Sequence, residues 1–500
     1  MQNVNNSNGH KQFSVEIAAR QRLLLSIKNF SYHENCITIL LGESGIGKSL
    51  IARAIYGLLD PKLLEVSLNN QPLIQYLATS YARQVRKNSF FVFQEPSSHL
   101  NPMLTIGDQL NEGDLGIYRE RLENMHRLWQ DIPEDKIRNL LKLYPKPYRP
   151  SGGEKQRILI AMAFKKIDIL EKSGHSGEST FFVFDEPTGN LDNFYRNIFV
   201  KELFDKYRRR AFTILLITHD YSLISEIVRE HADLADFVHF KELKRAEGEL
   251  YLHDFAGTDY LNWLKQPVSE IKRGKPLFFL SDYIKVFGRT LKISKENHGS
   301  LDTPLTIHAH EMVYLKARSG VGKTTLAKVI MGLIRADFFK LRIGEITLNH
   351  KTNIAVWKKK LWAKRLGMVF QHADEALNLN AKVIEIFKGL PVELSDKQLS
   401  AELQFLLGLQ INETFLQKRV SLLSGGQKQK LNLLRSLLTN PDVLILDEPL
   451  NGLDFESIKK VMTYLGKKQE QGTGILLISH NEEIFDHYIP EDNIFYLREV

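Results

Sequence analysis

Five short motifs occur twice in this chain, in the same order, and this duplication restricts its fold more than any other feature. The first copies are residues 42–49, 91–94, 151–156, 184–187 and 216–219, and the second copies are residues 317–324, 368–371, 424–429, 446–449 and 477–480. The spacing between copies changes only from 275 residues at the first motif (323 − 48) to 261 at the last (480 − 219). Solenoid repeats are roughly 20–50 residues long, so this period indicates a duplicated domain.

The motif positions set the domain limits that we expect. We place a first domain at residues 1–255, a linker at 256–276 and a second domain at 277–500, because turn residues concentrate in the linker. The third and fourth motifs are 34 residues apart in the first half (185 − 151) but 23 in the second (447 − 424). We interpret residues 165–179 as the insertion and expect a longer surface loop there.

Composition excludes several classes of protein. Cys36 is the single cysteine, so an internal disulfide and a four-cysteine metal site are excluded. The polar N-terminus lacks the apolar segment of a signal peptide, and no run of 18 apolar residues occurs, so we expect no membrane crossing. The net charge of +8 fits a nucleic-acid binder, a protein on an anionic membrane face, a phosphate-handling protein or simply a basic surface.

Apolar bursts predict an α/β fold in each half. Such bursts, apolar at nearly every position as in central parallel strands, are residues 37–41, 181–185, 213–218, 312–315, 443–447 and 475–479. The segments after Lys48, Arg157, Lys323 and Lys430 are typical of helices. Strands that alternate with helices favour a mainly parallel sheet.

The first motif is a phosphate-binding loop, G-x-x-x-x-G-K-[ST], that follows an apolar strand. Its backbone amides and its lysine are suited to ATP phosphates, and its last hydroxyl is suited to Mg²⁺. The residues that we expect to bind ATP here are Gly42, Ser44, Gly45, Gly47, Lys48, Ser49, Ser319, Gly320, Gly322, Lys323, Thr324 and Thr325. Ala317 replaces the first glycine of the second copy, so that loop must adjust if its backbone needs a positive φ.

Two adjacent carboxylates end an apolar strand in each half. Because side chains alternate along a strand, one carboxylate can hold Mg²⁺ while the other activates water. We expect Asp185 and Asp447 to bind the metal, and Glu186 and Glu448 to be general bases.

Further polar residues follow other strands. Gln94 and Gln371 are candidates for contact with ATP and for Mg²⁺ coordination or water orientation, and His219 and His480 could donate to the γ-phosphate. The sequences Ser151-Gly152-Gly153 and Ser424-Gly425-Gly426 open helices that can bind a second anion. One nucleotide does not need two such helix starts from the same domain, so we expect each to serve the ATP held by the other half.

These five motifs together resemble the ATP-binding-cassette (ABC) ATPase domain, twice. The resemblance implies two tandem P-loop NTPase domains, each with a mainly parallel sheet and a helical subdomain, and the cofactors ATP and Mg²⁺. It also implies a head-to-tail pair in which each SGG segment faces the other domain's ATP. Asp192 and Asp454 match the D-loop, and an aromatic residue before each loop should stack on adenine, with Phe13 and Phe287 or Tyr283 as candidates.

The two implied sites are unequal. The implied site that holds ATP on Lys323 contains Ala317 and a signature that reads Pro150-Ser-Gly-Gly-Glu154. The usual signature is LSGGQ, which residues 423–427 retain. Proline removes an amide and fixes φ. Because both halves keep the glutamate and the histidine, we expect both sites to hydrolyse ATP, and because of these departures we expect the second to be slower.

Residues 93–110 resemble the segment after the glutamine in importer ATPases for dipeptides, oligopeptides and nickel, and residues 370–380 are a weaker copy. In that family this segment contacts the coupling helices of the membrane subunits. The resemblance implies a peripheral subunit on the cytoplasmic face of the inner membrane that does not bind the solute itself. Its partners would be two permease subunits and a solute-binding protein.

Two alternatives remain open. A soluble two-cassette ATPase acting on ribosomes or nucleic acid fits the positive charge, but residues 256–276 do not resemble that group's long helical linker, so nucleic acid is the less favoured partner. Exporter ATPases often carry their own membrane spans, which the sequence lacks.

Overall fold

The computed structural model describes residues 9–112, 118–145, 150–172, 179–189, 191, 193–246, 249–266, 272–296, 301–318, 320–392 and 394–500. The chain divides into two compact units, Met1–Asp259 and Tyr260–Val500. Among the described residues, none of the helices has the length and apolar character needed to span a bilayer.

The first unit is built on one ten-stranded sheet of the described residues, ordered β5-β4-β1-β2-β10-β9-β3-β8-β7-β6. The strands are β1 His10–Ala19, β2 Arg22–His33, β3 Ile37–Leu41, β4 Glu65–Leu68, β5 Gln71–Pro72, β6 Phe91–Val92, β7 Phe182–Asp185, β8 Ile214–Ile217, β9 Val238–Ala246 and β10 Glu249–Asp254. Strands β9, β3, β8, β7 and β6 are parallel, whereas β1 pairs antiparallel with β2 and β4.

Helices cover this sheet and form a separate group between β6 and β7. The helices are α1 Lys48–Tyr56, α2 Leu73–Leu77, α3 Ser80–Asn88, α4 Ile106–Gln109, α5 Tyr118–Leu128, α6 Glu134–Leu141, α7 Gly152–Lys172, α8 Asn193–Arg209 and α9 Ser222–Glu230, with 3₁₀ turns at Pro96–Ser98 and Ala232–Phe237. A further helix, α10 Gly257–Leu264, begins at the end of the first unit and continues into the second. The group α4–α6 is the helical subdomain that the family resemblance implies.

The second unit repeats this plan with two sheets. The described strands are β11 Pro276–Leu280, β12 Tyr283–Val286, β13 Arg289–Ser294, β14 Leu305–His308, β15 Met312–Lys316, β16 Lys340–Ile343, β17 Ile346–Asn349, β18 Leu366–Val369, β19 Val443–Asp447, β20 Gly474–Ile478 and β21 Ile494–Glu499. One sheet is ordered β12-β13-β21-β15-β20-β19-β18, with β21 to β18 parallel, and the other is the antiparallel sheet β14-β11-β16-β17.

Six α-helices of the second unit lie in the described part. They are α11 Lys323–Ile330, α12 Asp396–Leu407, α13 Glu413–Leu416, α14 Gly425–Leu438, α15 Phe455–Glu470 and α16 Glu482–Tyr488, with a π-helical turn at Trp357–Leu361 and 3₁₀ turns at Ala373–Glu375, Ile384–Phe387, Val420–Leu422 and Glu491–Asn493. The α/β fold with a mainly parallel core and a helical subdomain is therefore confirmed in both units.

The apolar bursts form strands because each is buried from both faces. Every residue of β3, β7, β8, β19 and β20 is buried. Helices on both sides of the sheet require apolar side chains at successive positions, so alternation disappears.

The predicted loop at residues 165–179 is wrong for its first half. Residues 165–172 are the last two turns of α7, and residues 173–178 lie outside the described part. Lys165 is fully buried and its ammonium donates to the carbonyl of Leu110 at 2.7 Å. The loop was predicted from Gly174, Ser176 and Gly177, which lie outside the described residues, whereas the part before them continues the helix.

Candidate functional site

The loop between β3 and α1 forms the floor of the first candidate site. The Lys48 ammonium donates to the carbonyls of Gly42 at 2.5 Å and Glu43 at 3.0 Å, and burial lowers the pKa of Lys48. Gly42 has φ +135°, and a Cβ atom there would lie 2.7 Å from the backbone oxygen of Leu243. The first glycine of the motif is therefore required by both conformation and space.

The Ser49 hydroxyl donates to Asp185 Oδ1 at 2.7 Å. Burial raises the pKa of Asp185. Its Oδ2 is a buried atom with no hydrogen-bond partner in the described structure, and the nearest cation there is the Arg53 guanidinium at 3.9 Å, too far to donate a hydrogen bond. A buried carboxylate oxygen without a donor is costly unless a cation faces it. One carboxylate and one hydroxyl beside a phosphate loop fit Mg²⁺, which takes its remaining ligands from phosphates and water.

Glu186 turns away from Asp185 toward His219, whose Nδ1 lies 2.8 Å from Glu186 Oε2. Burial alone would raise the pKa of Glu186, but the facing His219 lowers it below its ordinary value. Burial alone would lower the pKa of His219, but Glu186 raises it. The pair therefore favours a carboxylate facing an imidazolium.

The second unit repeats this cluster with different electrostatics. The Lys323 ammonium donates to the carbonyl of Ala317 at 2.7 Å, and the Thr324 hydroxyl hydrogen-bonds Asp447, whose pKa is raised by burial. Asp447 Oδ2 is also a buried atom without a hydrogen-bond partner in the described structure, so Mg²⁺ fits here too.

The alanine of the second loop is accommodated by a change of backbone conformation. Gly42 is among the described residues with positive φ, whereas Ala317 is not. Gly320 and Gly322 keep positive φ values of +81° and +109°. The adjustment expected for Ala317 is therefore present, and Ser319 lies outside the described residues.

Glu448 and His480 do not form the charged pair of the first unit. His480 Nε2 lies 3.6 Å from Glu448 Oε1 and 3.3 Å from the Lys323 ammonium. Burial and Lys323 lower the pKa of His480 to about 4, and burial raises the pKa of Glu448 to about 7. The Ser479 hydroxyl donates to Glu448 Oε2 at 2.9 Å instead.

Both glutamates have an unusual backbone conformation that the sequence did not reveal. Glu186 has φ +47° and Glu448 has φ +51°. A non-glycine residue with positive φ is strained by about 1–3 kcal/mol and persists only where its surroundings fix it. Because the same strained conformation occurs in both units, the surrounding residues hold each glutamate in its orientation.

The SGG segments begin helices α7 and α14 as predicted. Ser424 caps α14 with Gln427 in a reciprocal capping box. Glu154 makes the matching contact to Ser151, because the Ser151 amide donates to Glu154 Oε2 at 2.7 Å. A Cβ atom at Gly152 or Gly425 would meet nothing within 4 Å, so these helix starts are open to an incoming group.

Helices α7 and α14 are tied to the glutamine segments. Gln156 Nε2 donates to the carbonyl of Phe93 at 3.3 Å, and Gln429 Nε2 donates to that of Phe370 at 3.4 Å. Each carbonyl immediately precedes the predicted glutamine, Gln94 or Gln371.

The other residues that were predicted to bind ATP lie in the loops or at the helix starts. Ser44 and Gly45 lie in the first loop, Gly47 precedes α1, Gly153 and Gly426 lie in the first turns of α7 and α14, and Thr325 lies in the first turn of α11.

Two of the further residues proposed for the sites are placed as follows. Asp454 caps α15 by accepting from the Ser457 amide at 2.7 Å, and Asp192 lies outside the described residues. The prediction that Phe13 stacks on adenine is wrong, because its ring is buried in the core against Tyr32. The side chain of Phe13 lies on the face of β1 that packs into the core, and not on the side of the loop.

A cleft of about 460 Å³ beside the first loop was not found from the sequence. Its walls are Leu23–Ser26 of β2 and Glu249–Leu252 of β10, with Lys28, Asn29 and Arg245. Leu25 contacts the loop, since a Cβ atom at Gly47 would collide with it. Tyr251 is the aromatic residue of this cleft, but it lies some 200 positions after the loop. In the second unit Phe287 is exposed and Tyr283 stacks on Phe338.

Comparison with known proteins agrees with this geometry. The family model described as ABC transporter matches residues 25–189 and 301–451. The glutathione import ATP-binding protein GsiA of Escherichia coli (strain K12) is 24% identical over 557 residues, covering 98% of this chain and 85% of that protein. A putative ABC transporter ATP-binding protein of Lactobacillus johnsonii is 25% identical over 533 residues, covering 97% and 87%.

Among solved structures, one titled RNase-L Inhibitor has a TM-score of 0.58 at 17% identity, covering 93% of this chain and 86% of that one. An archaeal ribosome recycling factor, in complex with a ribosomal stalk protein, has a TM-score of 0.59 at 17% identity, covering 93% and 85%. At this identity the two matches show a shared fold.

Proposed function

Since the chain belongs to the ABC transporter family, whose ATPase domains it carries twice, we propose that it drives an importer for peptides or metal chelates such as nickel complexes. The observation that carries this proposal is the segment after Gln94, which resembles that of peptide and nickel importer ATPases. The relatives named as import ATP-binding proteins, which match nearly the whole chain, support it.

The segment presents an apolar side chain on a fixed turn. The Asn101 amide donates to Gln109 Oε1 at 2.7 Å, and Gln109 Nε2 donates back to the Asn101 carbonyl at 3.0 Å. Met103, within this turn, is 81% exposed. A rigid turn with one protruding methionine suits contact with a membrane subunit, because methionine adapts to irregular apolar surfaces.

We propose that Glu186 and Glu448 are the general bases, with His219 and His480 beside the γ-phosphate. Lys48 and Lys323 would contact the β- and γ-phosphates. Mg²⁺, held by the hydroxyls and aspartates described above with Gln94 and Gln371, would supply neutralisation of the phosphate charge.

The open helix starts of α7 and α14 lead us to propose composite sites. Residues 151–153 would bind the ATP of Lys323, and residues 424–426 would bind the ATP of Lys48. Backbone amides at a helix start favour an anion, and a second anion site in each domain fits a head-to-tail pair. We further propose that adenine in the first site occupies the cleft beside Tyr251.

The proposed setting is the cytoplasmic face of the inner membrane, with two permease subunits and a solute-binding protein. The test is purification of the tagged chain from its native membranes in detergent, followed by mass spectrometry. We expect two polytopic membrane proteins to be recovered with the wild type and lost with Met103→Asp. Leu63→Asp, a change at a residue that is 74% exposed elsewhere in the first unit, is the matched control and should keep them.

Recovery of ribosomal proteins or RNA without membrane proteins would contradict the importer. It would favour the soluble two-cassette ATPase instead. Equal recovery of membrane proteins with Met103→Asp and Leu63→Asp would contradict the docking turn while leaving the importer in place.

A further inference from the structure

A strongly basic segment lies between the phosphate loop and the glutamine in both units. In the second unit, residues 346–371 contain no aspartate or glutamate but include the basic residues Lys351, Lys358, Lys359, Lys360, Lys364 and Arg365. In the first unit, residues 66–94 also lack acidic residues and include Arg83, Arg86 and Lys87. We call Lys351, Lys358, Lys359, Lys360 and Lys364 the second basic ridge. We call Arg83, Arg86 and Lys87 the first basic ridge.

The same anchor holds both ridges to the phosphate-loop helix. The Trp357 Nε1 atom donates to the carbonyl of Ile330 at 3.0 Å, and the Tyr76 hydroxyl donates to that of Ile55 at 2.7 Å. Ile55 and Ile330 are equivalent positions, because they are 275 residues apart like Lys48 and Lys323 (330 − 55). Each ridge is thus fixed at a defined place in its unit.

This place excludes a role at ATP. The anchors Tyr76 and Trp357 contact the last turn of α1 and α11, whereas the phosphate lysines begin these helices. Helices of eight or nine residues are about 12–13 Å long at 1.5 Å per residue. The anchors therefore lie at the end of each helix away from the phosphates, and the ridge cations themselves are exposed.

The charges of the second ridge are not neutralised by the protein. All five lysines are exposed, and in the described part of the chain none has a carboxylate within 4.0 Å, whereas the neighbouring Arg365 is 3.9 Å from Asp442. Lys364 donates to the carbonyl of Lys359 at 2.9 Å, which holds its ammonium in the cluster. Such a cluster attracts an anionic surface.

The surroundings of the ridges favour lipid over nucleic acid. Trp357 is buried and Trp362 donates to the carbonyl of Met331 at 3.0 Å, so neither ring is free to stack on a base. Ile354, between Lys351 and Lys358 in the chain, is 38% exposed, and Ile74, on the helix that precedes the first ridge, is 68% exposed. Lysines beside exposed aliphatic side chains suit an anionic membrane surface.

We propose that the two basic ridges bind anionic phospholipid headgroups, so that this chain contacts the membrane directly as well as through its permease partners. This inference rests on the proposed function for its setting. It assigns the ridges to the lipid and not to a membrane protein.

The test is flotation of the purified full chain with vesicles of phosphatidylcholine containing phosphatidylglycerol, and with pure phosphatidylcholine vesicles. We expect binding to the anionic vesicles, weakened by high salt. The variant Lys358→Gln/Lys359→Gln/Lys360→Gln should bind them about 100-fold more weakly, because each of the three surface lysines contributes about fivefold. The matched control, Lys388→Gln/Lys397→Gln/Lys418→Gln, removes the same charge from exposed positions outside the ridge and should lose less than about twofold.

Folding of both variants is checked by their ATPase rate and thermal unfolding, which should match the wild type. Equal vesicle binding by the two variants, or no preference for anionic vesicles, overturns the inference. Loss of RNA-oligonucleotide binding in the ridge variant, with unchanged vesicle binding, overturns it in favour of nucleic acid. The permease recovery described above needs no added lipid, so its outcome is independent of this one.

Discussion

The first position of the two phosphate loops gives a matched pair of substitutions, of which we expect one to be costly and the other nearly neutral. Gly42→Ala places a Cβ atom 2.7 Å from the Leu243 backbone oxygen and imposes an alanine at φ +135°. Backbone strain of this kind costs about 1–3 kcal/mol. Any shift of the loop also weakens the 2.5 Å contact from Lys48 to the Gly42 carbonyl.

We therefore expect Gly42→Ala to destabilise the first unit by about 2–4 kcal/mol and to impair its ATP binding. Ala317→Gly should cost at most about 1 kcal/mol, because it only adds freedom to the unfolded chain at a position without positive φ.

Hydrogen exchange measured by mass spectrometry reports on each unit separately. Protection of β3 and α1 should fall by about 30-fold or more in Gly42→Ala, since each 1.4 kcal/mol corresponds to a factor of ten. Protection of β15 and α11 should fall by less than about fivefold in Ala317→Gly. Unchanged protection in Gly42→Ala, or a larger loss in Ala317→Gly, would refute the reasoning.

Tyr251→Ala should raise the KM for ATP by about three- to tenfold while Tyr251→Phe does not, since ring stacking contributes about 0.5–1.5 kcal/mol; steady-state kinetics decides this. Ser424→Ala should destabilise α14 by about 1 kcal/mol, seen as a lower thermal midpoint, with Ser424→Thr restoring most of it. His33 and His239 have ring centroids 4.6 Å apart, and burial lowers the pKa of both. Below about pH 6.5 the unfolded chain therefore binds more protons than the folded chain, so the free energy of unfolding is highest above about pH 6.5 and decreases as the pH falls. In denaturation measured at several pH values, His33→Asn should make this decrease smaller, and an unchanged slope would contradict the prediction.

The sequence predicted the parallel core because burial on both faces removes alternation from strands such as β3 and β19. It also predicted which side chains gather at the carboxyl ends of those strands, including Lys48 and Asp185. Both results depend on local patterns that the duplication displays twice.

The remaining features depend on contacts between distant segments. The cleft beside the first loop needs Tyr251, which reaches it only through the pairing of β10 with β2. Phe13 lies at a plausible distance before the loop, but the register of β1 turns its ring into the core. The opposite protonation tendencies of Glu186 and Glu448 arise from small differences in where His219 and His480 lie, which identical motifs conceal.

The central claim is that both units hydrolyse ATP, with Glu186 and Glu448 as bases and the first site faster. The most direct measurement is the ATPase rate of the purified full chain carrying Glu186→Gln, Glu448→Gln or both. We expect a large loss with Glu186→Gln, a smaller loss with Glu448→Gln, and a loss of about 100-fold or more with both. An inactive Glu448→Gln variant beside an unaffected Glu186→Gln variant, or a double variant with wild-type turnover, would contradict it.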